Sequence, residues 1–136
     1  MVRIGIVVSE FNKEITGRML EAAKKCAKKN GAQVVDVVAV PGAYDAPLAA
    51  KQMLVRNDVD AIVAIGCVLK GETKHDEVIM NSVASALTLL SLQFNKPVAL
   101  GISGPGINEK QAKARIDEYA KRSVIAAIKM VGVLKK

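Results

Sequence analysis

His75 is the only histidine in the chain. It is therefore the only side chain whose ordinary pKa, about 6.5, suits proton exchange near neutrality. It stands beside Asp76 and Glu77 at the start of a long helix-like run. A lone histidine is as readily structural, so its place in the chain must carry the argument for proton transfer. Just ahead of it, Gly71-Glu72-Thr73 has the composition of an anion-binding helix start. Free N–H groups and the helix dipole attract negative charge there, glycine admits a ligand closely, and Thr73 adds a hydroxyl. The segment is neither a Walker loop nor a dinucleotide fingerprint, and a plain capped turn has the same composition. Lys70, Lys74 or a distant arginine would complete a phosphate pocket. Phe11 and Tyr44 are two of the few aromatic residues, which number 2 Tyr, 2 Phe and no Trp. Flat ring ligands want such stacking partners with backbone hydrogen bonds at their polar edge. One histidine and the isolated Cys26 and Cys67 give no zinc-ligand spacing, so no metal centre is expected.

These residues fall where strands should end. Val2 to Val8 reads as a buried strand, short, branched and nearly continuously apolar. Asn12 can cap the next helix and Asn30-Gly31 can stop it. Ile15, Met19, Ala22 and Cys26 recur between them at helical spacing. Val34 to Val40 is the second strand, broken by Pro41-Gly42, and a helix follows from Tyr44 to about Arg56. Asp60 to Val68 is the third strand. The polar stretch Lys70 to Asp76 opens a helix running to about Phe94. Pro97 to Ile102 is the fourth strand, broken by Ser103-Gly104-Pro105-Gly106, and a long, bent helical pattern fills Asn108 to Lys135. Strand alternating with helix predicts one α/β domain over residues 1–136, a three-layer sandwich with a four-stranded parallel sheet. We expect the flavodoxin-like strand order 2-1-3-4. Ligands of open parallel sheets bind outside the carboxyl ends of the strands. The segments Ser9 to Asn12, Pro41 to Asp45, Gly66 to His75 and Leu100 to Gly106 all lie on that edge.

The 136 residues suit one domain, and a chain of this size buries roughly two-thirds of its surface on folding. Apolar types make up 51% against 3% aromatic, so the core must be aliphatic, and disorder is excluded. Two cysteines exclude a disulfide scaffold and suit free thiols in a reducing cytosol. Arg3 is followed at once by strand-like sequence, which predicts no secretory leader and a cytoplasmic location. The net charge of +7 admits anionic partners, but scattered aromatics offer little for base stacking, so nucleic acid is not expected. The lysines at 24, 25, 28 and 29 read as a solvated helix face. Val78 to Asn95 contains no charged residue. Asn81, Ser82, Ser85, Thr88, Ser91 and Gln93 make it too polar for a comfortable membrane span. Its outer face is expected to meet another protein surface in a homo-oligomer, the alternative being cover by its own chain.

Ser9-Glu10-Phe11-Asn12, Val40-Pro41-Gly42-Ala43-Tyr44-Asp45-Ala46-Pro47, Gly66 to His75 and Pro97 to Ile102 closely resemble, in order and spacing, the motifs of the 6,7-dimethyl-8-ribityllumazine synthase family. The resemblance covers nearly the whole chain. It implies a transferase of riboflavin biosynthesis. Such an enzyme condenses 5-amino-6-(D-ribitylamino)uracil with 3,4-dihydroxy-2-butanone 4-phosphate, releasing phosphate and water, without metal or redox cofactor. It implies that Phe11 stacks on the pyrimidine. Ala43, Tyr44 and Asp45, with Cys67, Val68 and Leu69, would hold the pyrimidine or its ribityl chain. Glu72 and Thr73 match phosphate-loop positions, His75 the proton-transfer residue, Leu100 a ring-packing position and Arg115 the phosphate-binding arginine. The last two would act in a neighbouring subunit's site, within a homopentamer or an icosahedral shell of sixty subunits. Two departures stand out: Leu100 occupies a position often aromatic, and Ile116 to Arg122 replaces a glycine- and lysine-rich stretch. An archaeal-type riboflavin synthase and a non-catalytic flavin- or lumazine-binding shell protein are the competing readings.

Overall fold

The computed structural model describes residues Met1–Lys136. Four strands, β1 (Arg3–Ser9), β2 (Gln33–Val40), β3 (Ala61–Leu69) and β4 (Val98–Ile107), form one parallel sheet in the order β2-β1-β3-β4. That is the order expected from the sequence. Alternation along the strands splits the core in two. Ile4, Ile6 and Val8 of β1 with Ala61, Val63, Ile65 and Cys67 of β3 face one side, and Val7, Ile62 and Ala64 face the other. On the first side lie α1 (Lys13–Lys29), α4 (Glu109–Ala114) and α5 (Ile116–Leu134). On the second lie α2 (Ala46–Leu54) and α3 (His75–Phe94). Helices on both faces are what two-sided apolar strands require. The core is aliphatic, as composition demands: Ile4, Ile6, Leu54, Ile62 and Ile65 are among its fully buried side chains.

The α1 helix buries Ile15, Met19, Ala23 and Cys26 at helical spacing against the sheet. It stops where Asn30-Gly31 requires. Gly31 takes φ +73, the Asn30 side-chain amide donates to the Cys26 carbonyl at 2.8 Å, and Ala32 N–H donates to the Ala27 carbonyl at 2.9 Å. Asn12 stands at the N-cap position but its side chain makes no cap bond, contrary to expectation.

Two elements differ further from the sequence reading. The fourth strand does not break at Ser103-Gly104-Pro105-Gly106. It runs to Ile107, with an irregularity beyond the Cys67–Ser103 pair, and pairing resumes at Leu69–Ile107. Gly104, at φ +112, lets the backbone lie against the Val68 carbonyl, where any Cβ would collide. The long C-terminal helical pattern is two helices, meeting at Arg115 (φ −111, ψ 9). The first is opened by reciprocal bonds between Asn108 and Gln111: Gln111 N–H donates to Asn108 Oδ1 at 2.8 Å, and Asn108 N–H to Gln111 Oε1 at 2.9 Å.

The helix α3, uncharged from Val78 onward, buries Met80, Val83 and Leu87 on the sheet, with Ile79, Leu90 and Phe94 partly buried beside them, and leaves its opposite face outside. Val78, Ser82, Ser85, Leu89 and Leu92 are all exposed, Leu92 by 73%. They recur every three or four positions and line one uncharged stripe. Residues 1–136 leave this stripe uncovered. By length and composition alone α3 is also apolar enough to cross a membrane.

Candidate active site

The sheet brings three chain segments together at the carboxyl ends of β2, β1 and β3. Ser9 to Asn12 leaves β1, the tip of β2 turns through Pro41-Gly42, and Cys67-Val68-Leu69 closes β3. Backbone bonds lace the first to the second: Glu10 N–H donates to the Val40 carbonyl at 2.7 Å and Phe11 N–H to the Pro41 carbonyl at 3.0 Å. Asn12 laces the first to the third, its side-chain amide donating to the Cys67 carbonyl at 2.9 Å. The ring of Phe11, 70% exposed, is thus held above a braced base.

After Gly42 the chain makes a 3-10 turn, Ala43–Asp45, before α2. Asp45 folds back: its Oδ2 accepts from Gly42 N–H at 3.1 Å, and its own N–H donates to the Gly42 carbonyl at 3.0 Å. This fixes Ala43 inward and leaves Tyr44 67% exposed beside Phe11's edge of the sheet. Cys67 points its sulfur into the core, and burial pushes its thiol pKa up, with a Ser103 hydrogen bond opposing. Its main chain, not its sulfur, is what the edge can offer. Val68 and Leu69 are half-buried. Beneath them Ser9, 2% exposed, carries a hydroxyl with no hydrogen-bond partner, next to Gly66.

The segment Lys70 to Lys74 is a loop rather than the helix start that its polarity suggested, and α3 begins at His75. Gly71 to His75 is exposed throughout, with open space over Gly71. Thr73 Oγ1 accepts from His75 N–H at 3.3 Å, which ties the loop to the first turn. Asp76 is different: it is 5% exposed and its Oδ2 accepts from Gly106 N–H at 2.8 Å. A carboxylate in the first turn is favoured by the helix dipole. The arrangement presents backbone N–H groups, a hydroxyl and an imidazole on one exposed helix end, suited to an anion and a proton transfer.

Leu100 and Arg115 are not brought to this cluster within the chain. Leu100 pairs with Ala64 inside β4, well below the carboxyl edge, and is 45% exposed. It belongs within the last strand and not after it. Arg115 marks the joint between α4 and α5, on the α1 side of the sheet, and its guanidinium donates only to the Gln111 carbonyl at 3.1 Å. Lys121 lines a groove between α1 and α5, and Arg122 pairs with Glu118 at 3.3 Å. That groove, about 960 Å³, includes none of Phe11, Tyr44 or His75. Sequence reasoning missed two residues, Asn12 as a tether and Asp76 as a buried anchor. An asparagine before a helix reads as a cap, and an acid in a first turn reads as dipole compensation.

The model of the 6,7-dimethyl-8-ribityllumazine synthase family matches residues 1–135. The chain is 53% identical over 135 residues to the 6,7-dimethyl-8-ribityllumazine synthase of Picrophilus torridus, spanning 99% of this chain and 98% of the relative. It is 54% identical over 129 residues to that of Metallosphaera sedula, spanning 95% and 85%. It is 50% identical over 135 residues to that of Methanocaldococcus jannaschii, spanning 99% and 95%.

Proposed function

We propose, since the chain belongs to the 6,7-dimethyl-8-ribityllumazine synthase family, that its condensation reaction runs at the carboxyl edge of the sheet, in a site completed by a second copy of the chain. The protein is a transferase of riboflavin biosynthesis that joins 5-amino-6-(D-ribitylamino)uracil to 3,4-dihydroxy-2-butanone 4-phosphate. Neither competing reading from the sequence, the riboflavin synthase or the non-catalytic shell protein, is favoured by these relatives. The observation that carries the site is the convergence of Phe11, Tyr44, the Cys67–Leu69 main chain and His75 on one edge.

In this reading Phe11 stacks on the pyrimidine while the Ala43–Asp45 turn and the Cys67–Leu69 backbone hold its polar edge and ribityl chain. The Gly71–Thr73 loop, with Glu72, receives the phosphate of the butanone. The amine attacks the ketone to give a carbinolamine and then an imine, phosphate leaves, and the ribitylamino nitrogen closes the ring. The chief contribution of the protein is to hold two small molecules in reacting geometry. His75, exposed beside the phosphate loop, moves protons at the carbinolamine and during phosphate loss.

The oligomer supports what one chain leaves undone. Leu100 and Arg115 lie away from the edge, and each serves a neighbour's site. The exposed stripe Val78, Ser82, Ser85, Leu89 and Leu92 has the spacing by which helices interlock, so α3 packs against its copies in a ring. The chain alone exposes 7598 Å², where a compact monomer of this mass exposes about 6,800 Å². A pentamer, free or built into a shell, accounts for both, and we place it in the cytoplasm. Mixing the two precursors tests the reaction: lumazine absorbance must appear only when both are present. Dismutation of lumazine to riboflavin would favour the riboflavin synthase. Light scattering that returned a monomer at micromolar concentration would remove the shared site.

A further inference from the structure

We propose that Asn12 is a positioning residue for the pyrimidine substrate, acting by fixing the base of the Phe11 ring to the end of β3. The inference rests on the site described above and goes beyond it, because Asn12 need not touch the substrate at all. Asn12 occupies the N-cap position of α1, where an asparagine side chain ordinarily accepts from an amide of the first helical turn. It makes no such bond. Its side-chain amide instead donates to the Cys67 carbonyl at 2.9 Å, across 55 positions of sequence. Its backbone sits at φ 63, ψ 47, a left-handed conformation that asparagine tolerates better than most side chains. A local cap is forgone and an uncommon backbone conformation accepted, and both serve one contact between two substrate-holding segments. Such local cost is characteristic of functional sites.

The geometry gives the contact a definite task. On the β2 side the Phe11 loop is tied by the bonds of Glu10 to Val40 and Phe11 to Pro41. On the β3 side Asn12 supplies the side-chain tie, to Cys67. Phe11 itself makes the last backbone tie, and the very next residue makes this one. Releasing Asn12 leaves the ring attached to the β2 side while its distance to the Cys67–Leu69 backbone is no longer set. A ring ligand that must stack on Phe11 and bond to that backbone at once then binds poorly. The butanone phosphate, held by the loop at Gly71–Thr73, is little affected.

Asn12→Gly is the informative variant, because glycine takes the left-handed backbone freely and only the tether is lost. In steady-state assays its KM for the ribitylaminouracil should rise about tenfold or more, a misplacement effect. Its KM for the butanone phosphate should stay within about twofold. Titration calorimetry of the pyrimidine alone should show the same loss of affinity. Asn12→Asp, whose carboxylate cannot donate to the Cys67 carbonyl, should behave alike and guards against a special effect of glycine. Phe11→Ala is measured in parallel. If Phe11→Ala weakens pyrimidine binding and both Asn12 variants bind as the parent does, the tether inference is wrong while the site stands. Equal rises in both KM values would make Asn12 a general structural residue and overturn the inference too. If Phe11→Ala changes nothing, the stacking site itself is misplaced and the inference falls with it.

Discussion

The buried carboxylate of Asp76 accepts from the backbone N–H of Gly106 at 2.8 Å, joining the first turn of α3 to the last residues of β4. His75 precedes it directly, and Ile107 and Asn108 lead on to α4 and Arg115. One hydrogen bond therefore links the strand that leads to Arg115 with the helix that presents the imidazole. Asp76→Ala should lower unfolding free energy by about 2 kcal/mol, the scale of a hydrogen bond to a charged group. Asp76→Asn keeps an acceptor for Gly106 and should recover most of it. Urea unfolding at one fixed protein concentration measures both; equal losses in the two variants would mean that the charge, and not the acceptor, matters.

His75→Ala should slow turnover by about 10²–10⁴-fold, the usual contribution of a general acid or base. The side chain is exposed and its position carries no packing, so unfolding should shift by less than about 0.5 kcal/mol. Single-turnover rates beside circular dichroism melts distinguish the two effects. A parental rate would leave the imidazole a bystander.

Arg115→Ala should raise KM for the butanone phosphate about ten- to a hundredfold, as expected for losing a charge-assisted bond to phosphate. KM for the pyrimidine should move much less. The guanidinium is engaged only by the Gln111 carbonyl at 3.1 Å and is free to take an anion. Steady-state assays varying each substrate in turn check this, and the reverse ranking would put the anion site elsewhere.

Stability should fall in acid for a reason far from the site. Arg3 bonds Asp60 through its Nε at 3.1 Å and a terminal nitrogen at 3.0 Å, holding the Asp60 carboxyl below its ordinary value of 3.8. Arg56 does the same for Asp58. A carboxylate with a lowered folded pKa stabilises fully above the unfolded value, and that contribution disappears as pH falls through the lowered one. Asp60→Asn should thus cost a constant amount above about pH 4, and the gap from the parent should close at lower pH. Urea midpoints across pH test it, and a gap that widened in acid would contradict the pairing.

Most of the architecture was readable because strand identity and topology follow from local apolar runs and their alternation with helices. β1, β2 and β3 lie within a residue or so of their sequence bounds, and the strand order is as read. The misreadings share a cause. Gly104-Pro105-Gly106 has turn composition, but its conformation is set by β3, whose Leu69 pairs with Ile107 beyond the irregularity. Asn12 has cap composition, but its partner is 55 positions away. The break at Arg115 has neither glycine nor proline to announce it. In the site, topology alone placed Phe11, Tyr44 and His75 on one edge. Leu100 and Arg115 were placed by resemblance and not by topology, and within the chain they lie away from that edge.

The inward sulfur of Cys67 has a last consequence. Burial pushes its thiol pKa up, so alkylating agents and oxidants should find it sluggish although its peptide group lies at the edge of the sheet. Ala43, too, turns its methyl inward. At such places only the part of an amino acid that all amino acids share is left facing the edge of the sheet. Selection at these positions can then act only on how well a side chain fills the space behind.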